Sequence, residues 1–357
     1  MKKILICLDG TWNEAGSGTA PDDTNVIRLF RSAQHFKSPG QLAFYFQGVG
    51  SKTFEKLRGG ILGYGLFEQV KDAYLEIVNN YQPGDRIFIA GFSRGAFSAR
   101  CLASFVTRCG ILKNHSFDVA DLRDKRAIDQ LWDLYAQRSS HAKELAEYCS
   151  AHCHPPASPS VEAVAVWDTV GALGIPWGIF SQNSAVELLS SVNAGKYSFL
   201  ESDLSPAIPR AYHALALDEQ RVPFEPTLFA GPRVSDGSIL QVWFAGAHSN
   251  VGGGFADTGL SDIALDWMIR QLTSNHGLLL KAIQLDPAGL WDPVGKTGMD
   301  EKAGKVNTKR LHLLKPRQVP ANALLHPSAH RRLQGEPGHP VIPTAAQFAG
   351  NYQVAAN

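Results

Sequence analysis

A chain of 357 residues, 44% of them apolar, can bury one large mixed core or two small ones. With 34 Lys and Arg against 33 Asp and Glu, the formal net charge is +1, which gives no general reason to expect nucleic acid as a partner. No segment reaches the roughly 18 uninterrupted apolar residues of a membrane-spanning helix, and the opening run from Met1 to Leu8 is too short for a secretory signal. The expectation is a cytoplasmic protein without an integral membrane segment, or one exported without a classical signal peptide. The five cysteines, an odd number thinly spread, read as reduced thiols rather than a disulfide framework.

Short apolar runs alternate with longer helical patterns, which predicts an α/β fold with a mostly parallel sheet flanked by helices. The first strand is Ile4 to Leu8, ending at Asp9-Gly10-Thr11. Asp22, Asp23 and Thr24 then offer caps to a helix through Val26, Ile27, Leu29 and Phe30. Leu42 to Phe46 predicts a second strand and Leu66 to Tyr81 a helix with Val70, Tyr74, Ile77 and Val78 on one face. Pro83-Gly84-Asp85 turns into a buried strand from Arg86 to Ala90, and Ala96 to Val106 forms the next helix. Residues 121–150, rich in charge and helix formers, read as an inserted helical region at the surface. Val161 to Trp167 and Gln241 to Ala247 predict two more strands, and Ile263 to Leu272 an amphipathic helix. The pattern weakens after about Trp291. The expected organisation is a catalytic domain over 1–290, with a helical insertion at about 115–155, and an irregular C-terminal extension over 291–357 packed on the same domain.

Chemistry concentrates at Gly91-Phe92-Ser93-Arg94-Gly95. A strand runs directly into this motif and a helix directly out of it, the context in which G-x-S-x-G is a nucleophile elbow. The turn brings backbone against backbone, so Gly91 and Gly95 have no room for side chains, and the serine hydroxyl is left at the carboxyl edge of the sheet. The backbone N–H of Arg94, at a helix N-terminus, would face a developing oxyanion. An ordinary glycine-rich turn with an N-capping serine is the alternative.

A serine nucleophile needs a base, and the base an orienting acid; in this fold they follow in chain order. His248 ends a predicted strand and opens a glycine-rich loop, the position expected of the base. His213, in a helical or turn-like pattern, is its rival and otherwise packs beside the site. Asp168 ends its strand in the same way and is the expected acid, with Asp218, Asp257 and Asp262 as further candidates. The loop after the first strand would supply a second oxyanion donor from Gly10 or Thr11, while Asp9 orients that loop or touches substrate. Gly171 to Phe180 is apolar beyond the needs of a loop, with Ile175, Trp177 and Phe180 among its residues. It reads as a lid or lipid-facing rim, with Trp177 as a substrate contact, or else as core packing. Cys149 to His154 holds four potential metal ligands at a spacing that matches no ordinary zinc pattern. No metal and no cofactor is expected.

Seven blocks resemble a known family: Leu8-Asp9-Gly10-Thr11-Trp12-Asn13, Thr24-Asn25-Val26, Tyr45 to Gly50, Gly91 to Ala96, Val166 to Gly171, His213 to Glu219 and Val242 to Gly254. The family is the bacterial and fungal group of α/β-hydrolases that includes the class-1 lipase effectors of the type VI secretion system. The blocks lie in order across about Met1 to Leu272. The resemblance implies a serine-dependent esterase or lipase with Ser93, Asp168 and His248 in the triad positions. An acyl ester or lipid would be its substrate, and an exported effector of this kind would add a secretion or immunity partner. The residues leave one other reading open, a catalytically inactive binding or scaffold protein on the same fold.

Overall fold

The computed structural model describes residues 1–10, 23–36, 40–48, 62–114, 125–154, 161–171, 204–221, 224–285, 316–334 and 351–355. Its framework is an eight-stranded sheet in which every pair of neighbours is parallel. The strands are β1 (Lys3–Leu8), β2 (Gln41–Phe46), β3 (Arg86–Phe92), β6 (Val161–Trp167), β7 (Arg210–Ala216), β8 (Ile239–Phe244), β9 (Leu324–Leu325) and β10 (Gln353–Val354). A separate antiparallel pair joins β4 (Ile111–Leu112) to β5 (Cys153–His154). The order across the large sheet is β10-β9-β8-β7-β6-β3-β1-β2.

Parallel sheets are covered on both faces, so their strands are apolar in runs rather than in alternation. Along β1, Ile4, Ile6 and Leu8 enter one core while Leu5 and Cys7 enter the other. Along β3 the same division separates Ile87 and Ile89 from Phe88, Ala90 and Phe92. The first core is closed by α2 (Leu62–Asn80), α3 (Arg94–Cys109) and α4 (Arg126–Ala136), through Tyr74, Leu102 and Trp132. The second is closed by α1 (Asn25–Gln34) and α8 (Gly259–Ser274), through Val26, Leu29, Met268 and Leu272. Beyond α4 the chain forms α5 (Ala142–His152), and a single turn, α6 (Pro232–Ser235), leads into β8. Among the described residues no helix is long and apolar enough to cross a membrane.

Two segments depart from the sequence reading. Residues 210–216 form the strand β7, hydrogen-bonded between β6 and β8, where a helical or turn-like pattern was expected. Ala211, Ala214 and Ala216 favour helix intrinsically, but burial on both faces between two strands overrides propensity. The strand expected to reach Ala247 ends at Phe244, and His248 instead opens a short helix, α7 (His248–Gly252). The C-terminal residues add β9 and β10 to the sheet edge, with α9 (Pro327–Leu333) between them.

The chain places β2 on one side of β1 and β3 on the other, so the winding reverses between β1 and β3. Crevices at such reversals, outside the carboxyl ends of the strands, are where open α/β sheets bind ligands. Two loops meet there, Asp9-Gly10 after β1 and Ser93 after β3. A Cβ on Gly95 would lie 2.2 Å from the Leu8 carbonyl oxygen, and one on Gly91 would lie 2.5 Å from that of Gly95. The elbow and the first strand are in backbone contact. Gly95→Ala must push them apart, and should lower the unfolding free energy by about 2 kcal/mol or more, the scale of overpacking a tight core. Urea unfolding measures this, and an unchanged midpoint would contradict the packing.

Candidate active site

Ser93 sits between β3 and α3 with φ 59° and ψ −125°, a strained conformation for a residue with a side chain. Backbone bonds on either side hold it there. Its N–H donates to the Trp167 carbonyl at 3.1 Å, and its own carbonyl accepts from Ala96 N–H at 3.1 Å and Val170 N–H at 3.4 Å. Its side chain makes no capping hydrogen bond to α3, so the hydroxyl is not spent as an N-cap. Gly10 lies against it. A Cβ on Gly10 would be 3.0 Å from Ser93 Cβ and 3.6 Å from Oγ.

Asp168 is the residue after β6, one position beyond the Trp167 that binds Ser93. It is wholly buried and has φ 39°. Its Oδ2 lies 2.6 Å from His248 Nδ1. A carboxylate there accepts the hydrogen bond from Nδ1–H and leaves the lone pair on Nε2. Phe92 lies against one face of the imidazole at 4.6 Å between centroids, and Phe224 meets it edge-on at 4.8 Å. His248 is therefore fixed beside the residue that precedes Ser93. Among the described residues, Ser93 Oγ and His248 Nε2 have no hydrogen-bond partner. Contacts of this kind are often loose before substrate binds.

The C-terminal extension contributes Arg317, which grips both oxygens of Asp168. Nη1 reaches Oδ1 at 2.6 Å and Nη2 reaches Oδ2 at 2.9 Å. The same guanidinium donates to the carbonyls of Ala216 and Phe224, each at 2.5 Å. Burial alone would raise the Asp168 pKa; the charge of Arg317 and the bond from His248 outweigh it and hold the carboxyl well below its ordinary range.

His213 has both ring nitrogens engaged. It is wholly buried on β7, where its Nε2 accepts the Thr169 N–H at 3.1 Å and its Nδ1 faces Gln241 Oε1 at 3.2 Å. An accepting Nε2 puts the proton on Nδ1. Burial first, then the charge of Arg100, pulls its pKa down to about 3. It is a neutral brace for the loop after Asp168. Asp9 is buried and accepts from Thr24 Oγ1 at 2.6 Å, Tyr45 OH at 2.8 Å and Gly10 N–H at 2.8 Å. It orients the loop after β1, and it occupies the Gly10 N–H expected to serve an oxyanion. Arg94 opens α3, where first-turn N–H groups have no intrahelical acceptor. Asp262 pairs with Arg28 at 2.5 Å, Asp218 accepts the Gly246 N–H at 2.6 Å, and Asp257 accepts that of Gly259 at 3.1 Å. The carboxylate at the His248 ring is that of Asp168. Thr11, Trp177 and residues 172–180 lie outside the described residues.

Fold and site together define a protein of the α/β-hydrolase kind: a parallel sheet with a strained serine turn after one strand and an acid and a histidine joined after two others. The family model for the catalytic domain of Tle1-like phospholipase effectors of the type VI secretion system matches residues 2–271, and the chain belongs to that family. An uncharacterized protein of Saccharomyces cerevisiae is 27% identical over 191 residues, which are 49% of this chain and 27% of the yeast protein. Similar solved structures include an uncharacterized protein from Pseudomonas aeruginosa, at 19% identity and a TM-score of 0.42, covering 81% of this chain and 47% of that one. Another is the Tle1 effector bound to the VgrG spike, at 16% identity and a TM-score of 0.33, covering 71% of this chain and 51% of that one. A third is Thermogutta terrifontis esterase 2 phosphoramylated by tabun, at 12% identity and a TM-score of 0.35, covering 78% and 85%. The chain thus spans about half the length or less of the first relatives it matches.

Two buried groups make stability depend on pH in the same direction. Asp168 has a depressed pKa when folded, so its contribution is complete above the unfolded value near 3.9 and is lost as pH falls through the folded one. Removing Arg317 leaves that buried charge with only the His248 ring and the Ala216 N–H, and Arg317→Met should lower stability by about 3–5 kcal/mol and raise the pH of acid unfolding. An acid-unfolding curve identical to wild type would count against the clamp. His213 binds its proton in the unfolded state near pH 6.5 but in the folded state only near 3. Unfolding free energy should therefore fall as pH is lowered from 6.5 toward 3, and His213→Gln should flatten that slope. Denaturant titrations at a series of pH values would show it, and an equal slope in both proteins would exclude it.

Proposed function

We propose that the protein is a cofactor-independent serine hydrolase of carboxylic esters, lipase or phospholipase A-like, acting through an acyl-enzyme on Ser93. The observation that carries this reading is the 2.6 Å contact between Asp168 and His248, on the sheet edge where Ser93 stands with its hydroxyl uncommitted. A histidine oriented by a carboxylate is the partner a serine nucleophile requires. Ser93 Oγ attacks the acyl carbonyl while His248 Nε2 takes its proton. The tetrahedral oxyanion is met by the Arg94 N–H and by a second N–H from the loop after β1, where Thr11 is the candidate because Asp9 holds that of Gly10. The proton returns to the departing alcohol, and water, activated by the same histidine, releases the acid.

Membership of a phospholipase effector family favours a lipid ester, with residues 171–180, Trp177 among them, as the acyl rim. In this reading residues 1–290 form the catalytic unit, and the extension serves it through Arg317. A secretion or immunity partner belongs to this picture only where the chain acts as an exported effector.

Labelling with a fluorophosphonate probe, alongside turnover of acyl esters from acetyl to decanoyl, tests the proposal. Ser93→Ala should abolish labelling and lower turnover by a factor on the order of 10⁴ or more. Wild-type turnover should rise with chain length until the groove is filled, since each buried CH₂ contributes about 0.8 kcal/mol. Undiminished turnover in Ser93→Ala would end the proposal. A flat chain-length profile would end its lipid part and leave the esterase.

A further inference from the structure

The segment after β7 surrounds His248 in a way that the three proposed catalytic residues do not explain. Glu219 is a carboxylate only 3% exposed. Its Oε2 accepts the backbone N–H of His248 at 3.2 Å. Arg221 holds it with a fork, Nη2 to Oε2 at 2.7 Å and Nε to Oε1 at 2.8 Å, and the backbone N–H groups of Gln220 and Arg221 reach the same Oε1. The Arg221 guanidinium lies 3.9 Å over the ring of Phe224, the ring that meets the His248 imidazole edge-on. The Phe224 carbonyl in turn binds Arg317, the clamp on Asp168. Glu219, Arg221 and Phe224 form one connected support that touches the histidine at its backbone and at its ring.

Resting on the serine-hydrolase reading, we propose that Glu219 is a positioning residue for His248, a second carboxylate that fixes the main chain of the base and opposes its positive charge. A buried carboxylate is costly unless paired and hydrogen-bonded, and the Arg221 fork with three backbone N–H groups meets that need for Glu219. Its placement suits the reaction, which makes His248 cationic each time it takes a proton from serine or water. Arg317 already faces Asp168 with an equal and opposite charge, which weakens that carboxylate as a counter-charge. Glu219 adds a second carboxylate, bonded to the main chain of the base and itself held by Arg221. Burial pushes the Glu219 pKa up, but the bond and charge of Arg221 prevail and keep it ionised.

Among the described residues, the charged groups that touch the base or its partners are Asp168 after β6 with its clamp Arg317, and Glu219 and Arg221 after β7, with Asp9 after β1 one link away. Asp9 is linked to the helix of His248 through Thr24, which bridges to Gly253. Of these, Glu219 and Arg221 can be altered without touching the contact of Asp168 with the ring.

The test is the pH dependence of kcat/KM for a soluble butyryl ester, with kcat and KM measured separately, in wild type, Glu219→Gln, Glu219→Asp and Arg221→Gln. Glu219→Gln keeps an acceptor for the His248 N–H but loses the charge. Its kcat should fall by about 10- to 100-fold with KM little changed, the scale of misplacing a catalytic group, and its acid limb should move to lower pH. Arg221→Gln leaves the negative charge unopposed, so its acid limb should move to higher pH. Glu219→Asp retains the charge, and its acid limb should stay with that of wild type while kcat falls. A purely structural support would shift no limb, or would shift that of Glu219→Gln and that of Arg221→Gln alike. Either result, or a wild-type kcat in folded Glu219→Gln, would overturn the proposal. Should Glu219→Gln not fold, an unmoved limb in Glu219→Asp beside a raised limb in Arg221→Gln supports the proposal, and any other pair overturns it. A wild type without labelling or turnover would remove the serine-hydrolase reading itself, a different result from an active enzyme indifferent to Glu219.

Discussion

A carboxylate with no exposed surface keeps its charge only if cations and donors replace the water it has lost. At Asp168 three groups do so: the guanidinium of Arg317, the imidazole of His248 and the N–H of Ala216. Each comes from a different part of the chain. Arg317 belongs to the C-terminal extension, His248 to the helix after β8 and Ala216 to β7. One charge therefore ties four segments together at the carboxyl edge of the sheet. The geometry of the site depends on it, because the same carboxylate that anchors the extension also selects the tautomer of the histidine.

The sheet prepares this meeting point. Parallel register brings the ends of β3, β6, β7 and β8 to one edge, so residues that directly follow strands become neighbours although the chain separates them widely. Phe92 pairs with Trp167, which sets Ser93 beside Asp168. The reversal of winding between β1 and β3 opens the crevice in which Gly10 approaches Ser93. Strain is concentrated there too. Ser93 and Asp168, adjacent at this edge, both hold positive φ, and such strain persists only where the surroundings over-determine it. The hydrogen bonds from Ser93 to Trp167 and from Asp168 to Ala214 supply that determination on the backbone side.

Much of this was legible in the residues, because strand ends announce themselves. β1, β3 and β6 are largely apolar runs followed by Asp9, Ser93 and Asp168, and the turn at Ser93 lies between an apolar run and an amphipathic helix. Asp168 lies directly past its strand as expected, whereas β8 stops at Phe244 and His248 opens a short helix four residues on. β7 was not legible, since Ala211, Ala214 and Ala216 favour helix and only burial between two strands makes them extended. On this central strand His213 has both ring nitrogens facing Thr169 and Gln241. Arg317 left no local signal. Its neighbours are Lys315, Pro316 and Gln318, and its meaning appears only when the extension folds back on β6. Glu219 stood inside a recognisable block, but nothing in a one-dimensional pattern distinguishes a buried paired carboxylate from an exposed one.

If Ser93, His248 and Asp168 act together, turnover must pass through an ester between substrate acyl group and Ser93 oxygen. Rapid-quench mass spectrometry during turnover of an activated butyryl ester addresses that bond directly. The expected result is a transient mass increase of one butyryl group, confined to the proteolytic peptide that contains Ser93 and absent after the substrate is consumed. Turnover without any acylated peptide, or with the acyl group on a different residue, would contradict it.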